Sequence, residues 1–167
     1  MGNDMNTLEE INEDLLTMPA KDRHMLIPAS YLVLRQNDKV LLLRRFNTGY
    51  EDGKYSLPAG HVDAGGTFTE TVIREASEEI GIILKADDTH VAHMMHRKSV
   101  DSERIAAFFM AEIWEGEVKN MEPHKCDDLS WFHLDKLPEN TIPYIRQALE
   151  CIRDGKFDSE FGWYNKK

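Results

Sequence analysis

The stretch "GHVDAGGTFTETVIREASEEIGI", Gly60 to Ile82, gathers Asp63, Glu70, Glu75, Glu78 and Glu79 around a single Arg74, between a glycine-rich opening and Gly81. Val72, Ile73, Ala76 and Ile80 recur at helical spacing and predict a buried stripe. Thr67 followed by Glu70 reads as a capping box, in which the threonine oxygen accepts from an unpaired backbone N–H and the glutamate reaches back to the cap. The helix is therefore expected to begin at Phe68. It should end at Ile80, because Gly81 enters the left-handed conformation of a C-terminal cap at little steric cost. On that helix Glu75, Glu78 and Glu79 stand at i, i+3 and i+4 and share one adjacent face. Converging carboxylates repel, and Arg74 alone cannot neutralise them. Two readings follow: a solvated acidic face, or a face that holds a hard divalent cation through carboxylate oxygens.

Outward from this helix, the chain reads as hairpins with helices inserted. "IPASYLVLRQNDKVLLLRRF" from Ile27 predicts two strands joined at Gln36 to Lys39, with Asn37 and Asp38 supplying the turn. Asn47 to Gly66 predicts a long loop interrupted by a short strand around Tyr55 to Leu57. His90 to His96, Glu103 to Trp114 and Ser130 to His133 read as further strands, and Thr141 to Arg153 as an amphipathic closing helix. Strand alternation would put His90 and His96 on one face and His93 on the other, which disfavours a three-histidine metal site. Ahead of the domain, Leu8, Ile11, Leu15 and Leu16 predict a short amphipathic helix ending before Pro19. The expected organisation is an N-terminal helical extension over residues 1–23 and a single domain over 24–167, closed by an aromatic tail that docks on the domain or on a second subunit.

Composition narrows the function classes. The 167 residues suit one domain with a sizeable core, and 30 acidic against 20 basic side chains give a formal charge of −10. Such a surface repels a phosphate backbone or an anionic membrane, so neither a nucleic-acid polymer nor a membrane is expected as partner. A small polyphosphate stays compatible, because bound divalent cations invert the local charge of an acidic pocket. Cys126 and Cys151 form no CxxC, and no signal peptide or spanning segment is evident, so a cytoplasmic protein is expected.

The glycine loop, Arg74, the glutamates and the terminal glycine together resemble the Nudix box of the Nudix hydrolase family, G-x5-E-x7-R-E-U-x-E-E-x-G-U with U apolar. Gly60, Arg74, Glu75, Ala76, Glu78, Glu79, Gly81 and Ile82 fall on its positions, while Gly66 stands where the family has glutamate. "NTGYEDGKYSLPAGH" is similar to bacterial MutT-like members, and the resemblance runs from about Ile27 to Leu149. It implies an α/β/α sandwich around a mixed sheet, and Mg²⁺-dependent hydrolysis, with Mn²⁺ as a substitute, of a phosphoanhydride bond in a nucleoside di- or triphosphate or other nucleoside diphosphate derivative. It implies Glu78 and Glu79 as metal ligands, Glu75 as ligand or water-activating base, Arg74 as the residue that orients a neighbouring glutamate, and the Ala59 carbonyl as a further ligand. An acid outside the box is also expected; Asp127, Asp128 and Glu122 are candidates that spacing does not separate, and Asp128 is taken for the metal. Arg44, Arg45, Arg97 and Lys98 are cations for phosphate, and Phe46, Tyr50, Tyr55 and Trp131 are faces for a base. Of these, Arg44, Arg45, Phe46 and Tyr50 are assigned to a small nucleotide substrate, in a monomer or homodimer. Gly66 also admits a weakened or non-catalytic nucleotide-binding module.

Overall fold

The computed structural model describes residues 24–163, so the expected helix near the N-terminus lies outside the described residues. Strands β1 (Ile27–Gln36) and β2 (Lys39–Arg45) form the anticipated hairpin, with Arg35 opposite Val40 and Asn37 at φ 57° in the turn. Asparagine tolerates that left-handed backbone better than most residues. β3 (Tyr55–Ser56) and β7 (Cys126–His133) both pair antiparallel with β2, while β4 (Ala59–His61) pairs antiparallel with β1. β1 runs parallel to β6 (Glu103–Ala111), which pairs antiparallel with β5 (Thr89–Lys98). β8 (Asp158–Phe161) adds to β5 in parallel.

Helices α1 (Phe68–Ile80) and α2 (Pro143–Arg153) cover opposite faces of this mixed sheet, which makes the molecule an α/β/α sandwich. Alternation along β1 explains why both faces need cover. Leu32 and Leu34 pack with Val72, Ala76 and Ile80 of α1, whereas Tyr31 and Val33 pack with Ile145, Ala148 and Leu149 of α2. Burying a side chain such as Ile80 or Leu149 contributes on the order of 1.5–3 kcal/mol. Trp131 lies against the α1-side core, stacked on Trp114 at 6.0 Å.

Three sequence expectations change. β6 ends at Ala111 and α2 starts at Pro143, a residue type whose missing N–H costs nothing in a first helical turn. A bulge between Val91 and His93 resets alternation in β5: His90 opposes Met110 and His93 opposes Phe108, so these two share the α2 face and His96 does not. His93 is fully buried, with its ring nitrogens at 2.9 Å from the Lys156 carbonyl and 2.8 Å from Ser159 Oγ. It therefore tethers the segment that leads into β8. Within the described part of the tail, Asp158–Phe161 thus docks on this domain as a strand.

Candidate active site

The capping box forms as expected: Glu70 N–H donates to Thr67 Oγ1 at 3.1 Å and Thr67 N–H donates to Glu70 Oε2 at 2.9 Å. At the other end Gly81 adopts φ 71°, and the chain turns out of the helix into the Ile82–Leu84 core segment. The loop after β6 then returns to this helix end. Its Lys119 and Met121 N–H groups donate to the Ile80 and Glu79 carbonyls, each at 3.0 Å, satisfying acceptors that a helix terminus leaves open. That docking brings Glu122 beside the glutamates of α1.

A cavity of about 400 Å³ is lined by Arg74, Glu75, Glu78, Glu79, Glu122 and Lys125, among others. Arg74 Nη1 lies 2.9 Å from Glu75 Oε1 and 3.1 Å from Glu78 Oε2, with Asp63 at 3.7 Å from Nη2. One guanidinium thus bridges two carboxylates of the box. Glu79 Oε2 accepts from the Ala59 N–H at 2.9 Å, which ties α1 to β4. Lys125 Nζ is 2.7 Å from Glu122 Oε1. Glu75 is buried against Gly60 so tightly that a β-carbon there would meet its Oε1 at 1.9 Å. Only glycine fits at position 60 while Glu75 keeps this place.

Desolvation is the largest influence on these acids. Burial raises the Glu75 carboxyl above its ordinary range, with Glu78 and Glu122 adding to the rise and Arg74 opposing it. Burial also pushes Glu79 up to about 8, against the Ala59 N–H, which favours its charged form. No group of three or more His, Cys, Asp or Glu among the described residues stands ready-made as a metal cluster, because Glu75 turns to Arg74 and Glu79 to Ala59. The donor set nonetheless suits a hard cation. It consists of carboxylate oxygens whose crowding and burial leave negative charge under-compensated.

The other expected site residues divide sharply. Ala59 and Arg45 line this cavity; Arg45 Nε donates to the Tyr50 carbonyl at 2.7 Å and its guanidinium stands 5.3 Å from the Tyr50 ring centroid. Asp128 is not brought there. It accepts from Tyr55 OH at 2.6 Å and Ser130 Oγ at 3.0 Å, on the face of β7 opposite Arg44, whereas the cavity lies on the face of Leu43, Arg45 and Leu129. Alternation likewise turns Arg44 away, to Asp127 at 2.7 Å. Phe46 lines neither this cavity nor its neighbour.

That neighbour, of about 360 Å³, shares Leu43, Arg45, Ala59 and Glu79 with the first and adds Tyr31, Tyr50, His61, Arg97, Arg104 and Tyr144. Burial, reinforced by Arg104 and Arg97, lowers the His61 imidazole below its usual value. His61, Arg104 and Lys125 were not anticipated. For Arg104 a signal existed: it lies two and four residues before Ala106 and Phe108, on the same strand face.

The NUDIX domain family matches residues 25–150, and the chain belongs to that family. A NAD-capped RNA hydrolase NudC of Chromobacterium violaceum is 30% identical over 133 residues, covering 76% of this chain and 48% of that protein. The chain thus spans about half the length of that relative. An ADP-ribose pyrophosphatase of Methanocaldococcus jannaschii is 29% identical over 121 residues, covering 72% of this chain and 70% of that protein. Among solved structures, a MutT NUDIX hydrolase from Burkholderia pseudomallei superposes with a TM-score of 0.70 at 27% identity, over 76% of this chain and 98% of that one.

Proposed function

We propose that the chain is a divalent-metal-dependent pyrophosphohydrolase that cleaves a phosphoanhydride bond in a nucleoside di- or triphosphate or another nucleoside diphosphate derivative. The observation that carries this reading is the convergence of Glu75, Glu78, Glu79 and Glu122 on one cavity, where Arg74 pairs with Glu75 and Glu78 and Lys125 with Glu122. Glu78, Glu79 and Glu75, with the Ala59 carbonyl, would hold the metal, and Glu122 takes the outer-loop place expected of Asp128. A divalent cation there would neutralise phosphate charge and acidify water. Arg74 orients Glu75 and Glu78, and Lys125 orients Glu122. Glu75, held against Gly60, would accept a proton from a water in the cavity. Arg45, which lines both cavities, is placed to contact the phosphates, and Tyr50 borders the space for the rest of the substrate.

The names of the relatives set the screen: ADP-ribose, NAD, nucleoside triphosphates and an NAD-capped RNA end all present a phosphoanhydride. Each is incubated with Mg²⁺, with Mn²⁺ and with EDTA, and the products are separated chromatographically. Metal-dependent release of a nucleoside monophosphate from at least one of them is expected. Nucleotide binding without turnover of any would favour a non-catalytic module.

A further inference from the structure

The second cavity has an electrostatic character opposite to the first. Arg97 is 5% exposed, its guanidinium carbon 3.9 Å from the Tyr144 ring centroid, and Arg104 Nε is buried with no hydrogen-bond partner among the described residues. Neither arginine forms an ion pair within the described residues. Stacking on an aromatic ring offsets part of the cost of burying a guanidinium, and Arg97 also donates to Tyr50, but the Arg104 Nε–H finds no partner. The only carboxylate in the lining is Glu79, whose Oε2 is already engaged by the Ala59 N–H. Tyr31 already has one ring face stacked on Phe108 at 4.7 Å, and Tyr144 has one under the Arg97 guanidinium.

We propose that this cavity is an oxyanion site that takes a phosphate or carboxylate group carried by the substrate outside the bond that is hydrolysed. The unpartnered Arg104 Nε–H beside the buried Arg97 guanidinium is what such a group neutralises, and a guanidinium's planar fork suits two oxygens of one anion. The volume leaves room for the anion with a ribose-sized group and sits at the lower end of small-molecule sites, about 300–1,000 Å³. Leu43, Arg45, Ala59 and Glu79 line both this cavity and the acidic one, so a substrate spanning both would place one anion among arginines while its anhydride faces the glutamates. The assignment to substrate rests on the hydrolase reading; the anion site itself does not.

The test uses inorganic phosphate in EDTA at constant ionic strength, with the thermal midpoint as readout. Without metal the acidic cavity repels anions, so binding reports on the arginines. A saturable rise in midpoint is expected for the wild type. In Arg104→Gln and Arg97→Gln half-saturation should need at least about tenfold more phosphate, the scale of one lost charge-assisted hydrogen bond. Arg35→Gln, on the exposed Arg35–Glu112 pair, should behave as wild type. Because Arg97 is buried, Arg104→Gln, on a half-buried side chain, serves as the variant least prone to misfold. No saturable rise in the wild type, or an equal rise in Arg104→Gln, overturns the anion site. In Mg²⁺, with the best substrate of the screen, phosphate should raise KM, leave kcat unchanged, and lose this effect in Arg104→Gln. An unchanged KM in the wild type overturns the assignment to substrate. Absence of turnover alongside saturable phosphate binding would instead contradict the hydrolase reading and leave the anion site standing.

Discussion

Glu79 combines a hydrogen bond that favours its charge with burial that opposes it, and burial prevails, so its carboxyl is pushed up to about 8. Its folded value therefore lies above that of the unfolded chain, about 4.3 for a free glutamate. The folded state binds the proton more tightly between those values, so metal-free stability should fall as pH rises from about 5 to about 8 and then level off. Glu79→Gln removes the titration while keeping an acceptor for the Ala59 N–H. Its metal-free midpoint should lose that part of the decline, and the variant should exceed the wild type at pH 8. Thermal melts from pH 5 to 9 in EDTA check this; parallel curves for both proteins would contradict it. The sequence already put Glu75, Glu78 and Glu79 on one face, because three glutamates on a capped helix share a face by local geometry alone, and the three line one cavity. It could not separate Glu122 from Asp128, since that choice depends on where the Lys119–Met121 segment docks on the end of α1.

Local signals made α1 readable, whereas elements that depend on distant partners were hidden. Phe68 and Ile80 bound the helix as the capping box and Gly81 indicated. β4 escaped notice because Ala59–His61 has no strand pattern of its own and exists through pairing with Ala29, Ser30 and Tyr31. β8 depends equally on the edge of β5 and on His93. The loop between β4 and α1 holds the one box position out of pattern. Gly66 donates its N–H to the Asp63 carbonyl at 2.9 Å, and its φ lies outside the left-handed region that favours glycine. A β-carbon would lie 3.3 Å from that carbonyl oxygen, a contact that a shift of a few tenths of an ångström relieves. Gly66→Glu should therefore fold, reduce the freedom of the unfolded loop by about 0.4–1 kcal/mol, and raise kcat more than it changes KM. Melts and steady-state kinetics at fixed Mg²⁺ check this. A fall in both kcat and midpoint would show that the loop's present conformation requires glycine.

Across the whole molecule, a formal charge of −10 coexists with an arginine-lined cavity next to an acidic one, with Leu43, Arg45, Ala59 and Glu79 lining both. No helix among the described residues is long and apolar enough to cross a membrane. The sandwich borders both cavities with β2 and β4, the first adding α1 and the second β1, β5 and β6. Net charge could not reveal the second cavity, because Arg97 and Arg104 come together only through the pairing of β5 with β6, where they stand opposite one another. If the glutamates of α1 carry out hydrolysis, turnover depends on their carboxylates and on a bound metal. The most direct measurement is kcat for the best substrate of the screen, with saturating Mg²⁺ and in EDTA, for wild type, Glu78→Gln and Glu79→Gln, each checked for folding by its thermal midpoint. Turnover by the wild type is expected only with metal, with a loss of ~100-fold or more in folded Glu78→Gln and Glu79→Gln. Wild-type kcat in both folded variants, or undiminished turnover in EDTA, would contradict it.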